Sequence, residues 1–385
     1  MNSIEARPER DRASVGFPPW PVHDEAEVLA AASVLRSGRT NQWTGPEVGH
    51  FEETFARWLG TRHALAVSNG SVAVEVCLRS LEIGPGDEVL VPARSYVATA
   101  LAPGLVGASA TLVDADALSG NVTVETLERA RTPRTTAAIV AHVAGWPCDM
   151  PAIMGWASSN GIRVIEDCAQ AQGGMIGDRL VGSFGDAAAF SFSHGKIMSL
   201  GGEGGAVCTS DPQVFDRAWS WREHGKANLQ HPIDRPNRRL GSNLRMLGLQ
   251  AAIGLEQLQK LPEWSQKRRA NAQALLDALS LCDDIDVPYP ADPQAHAAFM
   301  LACTLRRGNR DAVVSALVPT FPIKRGAALD VPTSAPWCAV NGLGSTPVAA
   351  DLAARGMLLP VHPTAGEGDM RRLAEAVVGA VQDHA

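Results

Sequence analysis

Seven short stretches of the chain are almost continuously apolar, and segments with an apolar residue every three or four positions separate them. Strands that helices cover on both faces have this unbroken apolar character, because neither face meets water. The alternation predicts an α/β fold whose large domain holds a doubly wound, mainly parallel, seven-stranded sheet. The predicted strands are residues 63–68, 88–93, 110–115, 137–143, 163–167, 187–193 and 205–210.

The pattern changes after the last predicted strand. Residues 231–245 form a polar, arginine-rich loop, and the residues after them have the periodicity of one long helix. Pro262 lies inside that helix and predicts a kink or a break, because proline lacks the backbone N–H that a helix uses. We expect a large domain over residues 16–260 and a smaller C-terminal α/β domain over residues 261–385, after a disordered lead-in over residues 1–15.

The composition limits the classes of function. Of the 385 residues, 45% are hydrophobic, which is enough to bury a large core. The formal net charge is −7 and no long basic segment occurs, which argues against a nucleic-acid partner. No apolar run reaches the length of a membrane span, and the polar first residues do not resemble a secretory signal. The seven cysteines are scattered without a CxxC pair, so we expect a cytoplasmic protein with neither a metal site nor a disulfide framework.

Candidate chemistry lies where the predicted parallel strands end, because ligands of such sheets bind outside the carboxyl ends of the strands. Glu166 and Asp167 end an apolar strand, and a carboxylate there requires a partner in a salt bridge, a helix N-cap or a functional site. Gly70 and Ser71 follow another strand and begin a helix. They form either an anion-binding cradle or an ordinary N-cap.

Lys196 follows the predicted strand at 187–193 and precedes a glycine cluster. Ser191 supplies a hydroxyl five positions earlier, and Tyr96 supplies an aromatic ring for either a ligand or the core. Each feature alone has an ordinary structural explanation. Together, an amine, an acid, phosphate donors and an aromatic ring are the groups that a site for pyridoxal 5'-phosphate requires.

Five blocks of sequence occur in a specific order and spacing: SNGSVAVEVCLRSLEIGPGDEVLVPARSYVATA, AHVAGWPCDMPAIMGWA, VIEDCAQAQGG, VGSFGDAAAFSFSHGK and GGEGGAV. Through these blocks the chain resembles the DegT/DnrJ/StrS family of pyridoxal-phosphate-dependent sugar aminotransferases. The resemblance covers most of the chain. It implies the aspartate-aminotransferase-like fold of type I, with pyridoxal 5'-phosphate as the cofactor.

The resemblance also implies roles for individual residues. Lys196 matches the lysine that binds the cofactor covalently and moves protons, and Asp167 matches the acid that pairs with the pyridine nitrogen. Asn243 matches an asparagine that reaches the cofactor phosphate of the neighbouring subunit, so a homodimer with active sites at its interface is implied. The cofactor-binding residues by resemblance are Gly70, Ser71, Tyr96, Asp167, Gln170, Ser191, Lys196 and Asn243.

The substrate contacts have less support from the motifs. Residues 321–342 depart from the tyrosine- and histidine-containing segment that relatives carry there. His142 follows a predicted strand, where it faces either the site or the core. Arg238, Arg239 and Arg245 flank Asn243, and guanidinium groups bind carboxylates and diphosphates bidentately, so we predict that they contact an anionic substrate.

The function that the resemblance implies is transfer of an amino group from glutamate or glutamine to a keto-sugar, usually nucleotide-linked, in amino-sugar or secondary-metabolite biosynthesis. An alternative acceptor is a cyclitol or carbocyclic ketone, as in inosose aminotransferases and aminohydroxybenzoate synthase. A sugar dehydratase is a further alternative, although those relatives carry histidine in place of the lysine at position 196. A non-catalytic, cofactor-binding regulator is the last, and the intact set of site residues argues against it.

Overall fold

The computed structural model describes residues 16–228, 236–326 and 346–384. The predicted disordered lead-in therefore lies outside the described residues. The described helices are α1 Glu25–Ser37, α2 Glu47–Leu59, α3 Gly70–Ser80, α4 Val97–Leu105, α5 Val124–Ala130, α6 Met150–Asn160, α7 Pro212–Arg222, α8 Gly248–Leu279, α9 Arg310–Leu317, α10 Pro347–Arg355 and α11 Glu367–Asp383.

All seven predicted strands are present and form one sheet, in the order β1-β9-β8-β5-β4-β2-β3. Neighbours from β8 to β3 run parallel, whereas β9 is antiparallel to both β8 and β1. The mainly parallel sheet is thus confirmed. Its strands are β1 His63–Val67, β2 Glu88–Pro92, β3 Ser109–Val113, β4 Thr135–Ala141, β5 Arg163–Asp167, β8 Ala187–Ser191 and β9 Gly205–Thr209.

Two smaller sheets complete the fold. A hairpin of β6 Met175–Ile176 and β7 Arg179–Leu180 follows β5, and a four-stranded antiparallel sheet in the order β10-β11-β13-β12 forms the C-terminal part. Helices α9 and α11 pack beside this second sheet and share its apolar core. Its strands are β10 Ile285–Asp286, β11 Met300–Leu305, β12 Lys324–Arg325 and β13 Gly356–Pro360.

Helices cover both faces of the large sheet, which explains the unbroken apolar strands. Helices α3 and α7 pack on one face, and α2 and α8 pack on the other. Helix α2 ends at Gly60, whose φ of 81° is in the left-handed region that glycine adopts without strain. The central strands β4, β5 and β8 are buried on both sides, so their carboxyl ends open only at the sheet edge where ligands bind.

Helix α8 connects the two cores without interruption. The predicted break at Pro262 is wrong, because the helix runs for 32 residues through that position and packs against α1, α2 and α11 along its length. Leu261 belongs to the core under the large sheet, whereas Ala272 and Leu275 belong to the C-terminal core. Phe17 also packs in the C-terminal core, so the chain before α1 contacts the part predicted to be the small domain.

Within the described segments, no helix has the length and apolar character to cross a membrane. The six cysteines that the structure describes are free thiols, and five of them are buried. Cys338 lies outside the described residues.

Candidate active site

A cavity of about 770 Å³ opens at the carboxyl ends of β5 and β8, beside the N-terminus of α3. The C-terminal part closes one side of it with Phe299, Lys324 and Leu358. Seven of the residues predicted to bind the cofactor line this one cavity: Gly70, Ser71, Tyr96, Asp167, Gln170, Ser191 and Lys196. Residues that are far apart in sequence thus meet where the sheet topology predicts a ligand site.

Asp167 is the last residue of β5, and its carboxylate faces the cavity while only 8% of the residue is exposed. The hydroxyl of Thr99 donates to Oδ2 at 2.7 Å, and the backbone N–H of Ala169 donates to Oδ1 at 3.1 Å. Thr99 was not predicted from the sequence. Its position one helical turn after Tyr96, at the start of α4, was the signal that could have identified it.

Glu166 precedes Asp167 and points to the opposite face of the sheet, as alternating strand side chains do. The backbone N–H groups of Gly182, Phe184 and Gly185 donate to its carboxylate at 2.7–2.8 Å. Burial alone would raise the pKa of Glu166, but the hydrogen bond from His142 and these amides bring that pKa below its usual value. The carboxylate therefore holds the loop before β8 and takes no part in the cavity.

His142 is 1% exposed and does not line the cavity. Its Nε2 lies 3.2 Å from Oε2 of Glu166, and its Nδ1 accepts the N–H of Cys148 at 3.0 Å. The structure therefore places the ring of His142 in the core and outside the cavity, with both ring nitrogens engaged. Cys168 lies close to both groups, with the three potential ligand atoms within 4.8 Å of one another. The hydrogen bonds that Glu166 and His142 already make account for this cluster as core structure.

Lys196 lies in the turn after β8 and directs its amine into the cavity, with Nζ 5.3 Å from the ring centroid of Phe299. Its backbone carbonyl accepts the indole N–H of Trp20 at 2.9 Å, which holds the turn. Burial lowers the pKa of Lys196 to about 8, against the opposing charge of Asp167 and with the help of the positive charge of Lys324. The amine is therefore neutral in a large fraction of molecules near pH 8 and can act as a nucleophile or a base.

The N-terminus of α3 opens into the cavity, where an anion-binding cradle was predicted. Asn69 caps the helix by accepting the N–H of Val72 at 3.0 Å, and the hydroxyls of Ser71 and Ser191 line the cavity beside it. Gly70 packs directly on Ser191, since a Cβ atom at Gly70 would lie 2.5 Å from the Cβ of Ser191. Free helical N–H groups and hydroxyls at this point suit a phosphate group.

Replacing Gly70 with alanine should damage this cradle. The added methyl group must displace Ser191 at the end of a buried strand, and such overpacking costs about 1–3 kcal/mol. We expect a lower melting temperature and weaker binding of pyridoxal phosphate in a fluorescence titration. Gly155→Ala is the matched control, because that glycine lies on the exposed face of α6 with no atom near its added Cβ. Equal cofactor affinity in the two variants would contradict the predicted cradle.

Tyr96 and Gln170 line the remaining wall of the cavity. Tyr96 is 65% exposed immediately before α4, so its ring is free to cover a flat ligand. The side-chain carbonyl of Gln170 accepts the N–H of Ala144 at 2.8 Å, which leaves its NH₂ group as a hydrogen-bond donor. Phe299 and Lys324 also line the cavity. They come from two separate segments without a recognisable motif, so they were not predicted from the sequence.

The remaining predicted residues do not line the cavity of their own chain. Asn243 is exposed and pairs through its backbone with Glu223, and Arg238 and Arg239 are exposed on the same loop. Arg245 donates from Nε to the buried carboxylate of Glu223 at 2.8 Å and so forms an ion pair within its own chain. The cross-subunit role of Asn243 stays a prediction.

Comparison with known proteins relates this geometry to one group of enzymes. The chain is 36% identical over 319 residues to UDP-N-acetyl-3-dehydro-alpha-D-glucosamine 3-aminotransferase of Acidithiobacillus ferrooxidans, covering 83% of this chain and 84% of that one. It is 34% identical over 319 residues to 3-amino-5-hydroxybenzoate synthase of Amycolatopsis mediterranei, covering 80% of each.

The crystal structure of the aminotransferase from Psychrobacter cryohalolentis superposes with a TM-score of 0.89 at 34% identity, covering 96% of this chain and 99% of that one. This match confirms the predicted fold class, that of type I pyridoxal-phosphate-dependent aminotransferases. The sequence model of the DegT/DnrJ/EryC1/StrS aminotransferase family matches residues 21–378. The chain therefore belongs to the DegT/DnrJ/EryC1/StrS aminotransferase family.

Proposed function

We propose that this chain uses pyridoxal 5'-phosphate to transfer an amino group from glutamate or glutamine to the ketone of a nucleotide-linked sugar. One observation carries the proposal: the amine of Lys196 and the carboxylate of Asp167 enter the same cavity, which also holds the N-terminus of α3. These three groups correspond to the aldehyde, the ring nitrogen and the phosphate of the cofactor.

The residues present fit pyridoxal phosphate. Gly70 approaches Ser191 so closely that no side chain could stand in its place, which leaves backbone N–H groups and hydroxyls for the phosphate. Tyr96 would cover the ring, and the NH₂ group of Gln170 would donate to a ring substituent. When bound, the cofactor supplies an electron sink for the bond that breaks at the carbon bearing the amine.

The chain's own residues would then transfer protons and hold the ring nitrogen protonated. Lys196, with its pKa lowered to about 8, accepts and returns a proton near neutral pH, as a general base and acid should. Asp167 holds a proton on the ring nitrogen, and the hydrogen bond from Thr99 fixes the carboxylate in that orientation. A buried carboxylate without a protonated partner is unfavourable, so the acid and the ring nitrogen stabilise each other.

The acceptor class is supported by the relatives. The Acidithiobacillus relative is named for a UDP-linked 3-keto sugar, whereas the Amycolatopsis relative is named for a carbocyclic product. We favour a nucleotide-linked keto-sugar, as used in amino-sugar, antibiotic or polysaccharide biosynthesis, and keep the carbocyclic ketone as the second candidate. Lys196 argues against a dehydratase, and the complete residue set argues against a non-catalytic regulator.

We also propose that the chain acts as a homodimer. Asn243, Arg238 and Arg239 are exposed outside the cavity of their own chain, which fits residues that reach a neighbouring subunit. Arg235, on the same loop, lies outside the described residues.

A substrate screen tests the proposed function. Purified protein with pyridoxal phosphate is incubated with glutamate or glutamine and with UDP-, dTDP- and GDP-linked keto-sugars, inososes or carbocyclic ketones, and products are identified by mass spectrometry. We expect an aminated nucleotide sugar. A product only from the carbocycles would favour the second candidate, and no amine transfer from either donor would contradict an aminotransferase.

A further inference from the structure

Lys324 brings a second amine to the cavity from the C-terminal sheet. It lies on the edge strand β12, whereas Lys196 follows β8 of the large sheet. Both Nζ atoms lie near the ring of Phe299. The distance to the ring centroid is 5.3 Å for Lys196 and 5.6 Å for Lys324. Their separation cannot exceed the sum of these distances, and both lysines line the same cavity.

Among the residues that the structure describes, no carboxylate forms a salt bridge with Lys324, although Asp167 and Glu203 line the same cavity. Its neighbour Arg325 differs, because Nε of Arg325 lies 3.3 Å from Asp311, which also pairs with Arg310 at 2.7 Å. Lys324 is exposed on the edge strand, and the protein around its amine displaces enough water to lower its pKa. A cationic group that lines a cavity without a salt-bridge partner attracts anionic ligands, and the hydrogen bonds that it makes to carboxylates are charge-assisted.

The position of Lys324 favours one source of that anion. An amino acid carries its α-carboxylate one bond from the carbon that gives up the amine. The diphosphate of a nucleotide-linked sugar is separated from a ring ketone by several bonds. Because both amines lie near one ring in one cavity, a carboxylate held by Lys324 fits an amino acid whose reacting carbon faces Lys196.

We propose that Lys324 binds the α-carboxylate of the amino donor. This inference rests on the proposed function. The amino donor, which reacts before the keto acceptor, would then bind between the two sheets, since Lys196 follows a strand of the large sheet and Lys324 lies on the C-terminal one.

The test uses the cofactor-loaded full chain with Lys324→Ala, Lys324→Arg and the control Lys267→Ala. Lys267 pairs with Glu263 on an exposed face of α8 and does not line the cavity. Donor binding is followed by the loss of visible cofactor absorbance with glutamate, glutamine and the α-amide of glutamate. We expect the half-saturating concentration of glutamate to rise about tenfold or more in Lys324→Ala, because a charge-assisted hydrogen bond is lost. Arginine should restore most of the affinity, and Lys267→Ala should have no effect.

The three donors identify which carboxylate is bound. If Lys324 holds the α-carboxylate, the α-amide binds weakly to the wild type and is not weakened further by Lys324→Ala. If glutamine shows that behaviour instead, Lys324 holds the side-chain carboxylate and the inference is overturned. If transamination by the wild type continues, two results would overturn the inference. One is an increase confined to the Michaelis constant of the keto acceptor, and the other is no change in the half-saturating concentration of any donor or acceptor. Absence of transamination in the wild type would contradict the proposed function itself.

Discussion

Lys196→Ala should abolish amine transfer and the visible absorbance of the bound cofactor, while the protein stays folded. The side chain enters the cavity from a turn held by the Trp20 indole through the Lys196 backbone carbonyl, so its removal leaves the surrounding contacts in place. Loss of a nucleophile that is also the general base should reduce turnover by about a thousandfold or more. Steady-state kinetics, near-ultraviolet circular dichroism and the absorbance spectrum would measure these effects.

The pH dependence of cofactor capture provides an independent check on Lys196. The neutral amine is the nucleophile, and burial lowers the Lys196 pKa to about 8, so the fraction able to react rises as pH increases through that value. We expect the rate at which cofactor-free protein captures pyridoxal phosphate to rise from pH 7 to pH 9 and then level off. A rate that kept rising towards the pKa of an ordinary lysine would mean that a solvent-exposed amine reacts.

Asp167→Asn should have the second largest effect. The amide has nearly the shape of the carboxylate and keeps one of its two acceptor oxygens, but it cannot keep a proton on the ring nitrogen. We expect turnover to fall by roughly a hundredfold or more, since a preorganised charge at the reacting group is lost. Thermal stability should change little, because the carboxylate faces the cavity.

Glu166→Gln is the matched control on the same strand. Glu166 accepts three backbone N–H groups and the His142 hydrogen bond on the opposite face, so its replacement should lower the melting temperature more than Asp167→Asn does. Activity per folded molecule should stay close to that of the wild type. Equal losses of turnover in the two variants would show that the strand does not separate a catalytic face from a structural one.

The large sheet could be predicted from the sequence because its strands are covered on both faces and are therefore apolar without interruption. The antiparallel direction of β9 could not be predicted, since the run at 205–210 has the same local pattern as the parallel strands. The prediction of a break at Pro262 is wrong for a related reason. Packing of α8 against three other helices outweighs the local preference of one proline.

The site was predictable where sequence motifs coincide with strand ends, as at Asp167, Ser191 and Lys196. His142 also follows a strand, but its ring turns into the core and pairs with Glu166, and local sequence does not specify which way a side chain turns after a strand ends. Thr99 and Lys324 enter the site through tertiary contacts, Thr99 from α4 and Lys324 from the second sheet. No periodicity or spacing in the sequence indicates that these two residues reach the same cavity.

Borohydride trapping followed by peptide mass spectrometry tests the central claim most directly. Cofactor-loaded protein is reduced, digested and searched for the mass of a pyridoxyl group on lysine. We predict one modified peptide, with the group on Lys196, because its amine lies in the cavity with Asp167 and the α3 cradle. Modification of Lys324 in its place, or no modified lysine in protein that transfers amino groups, would contradict the account.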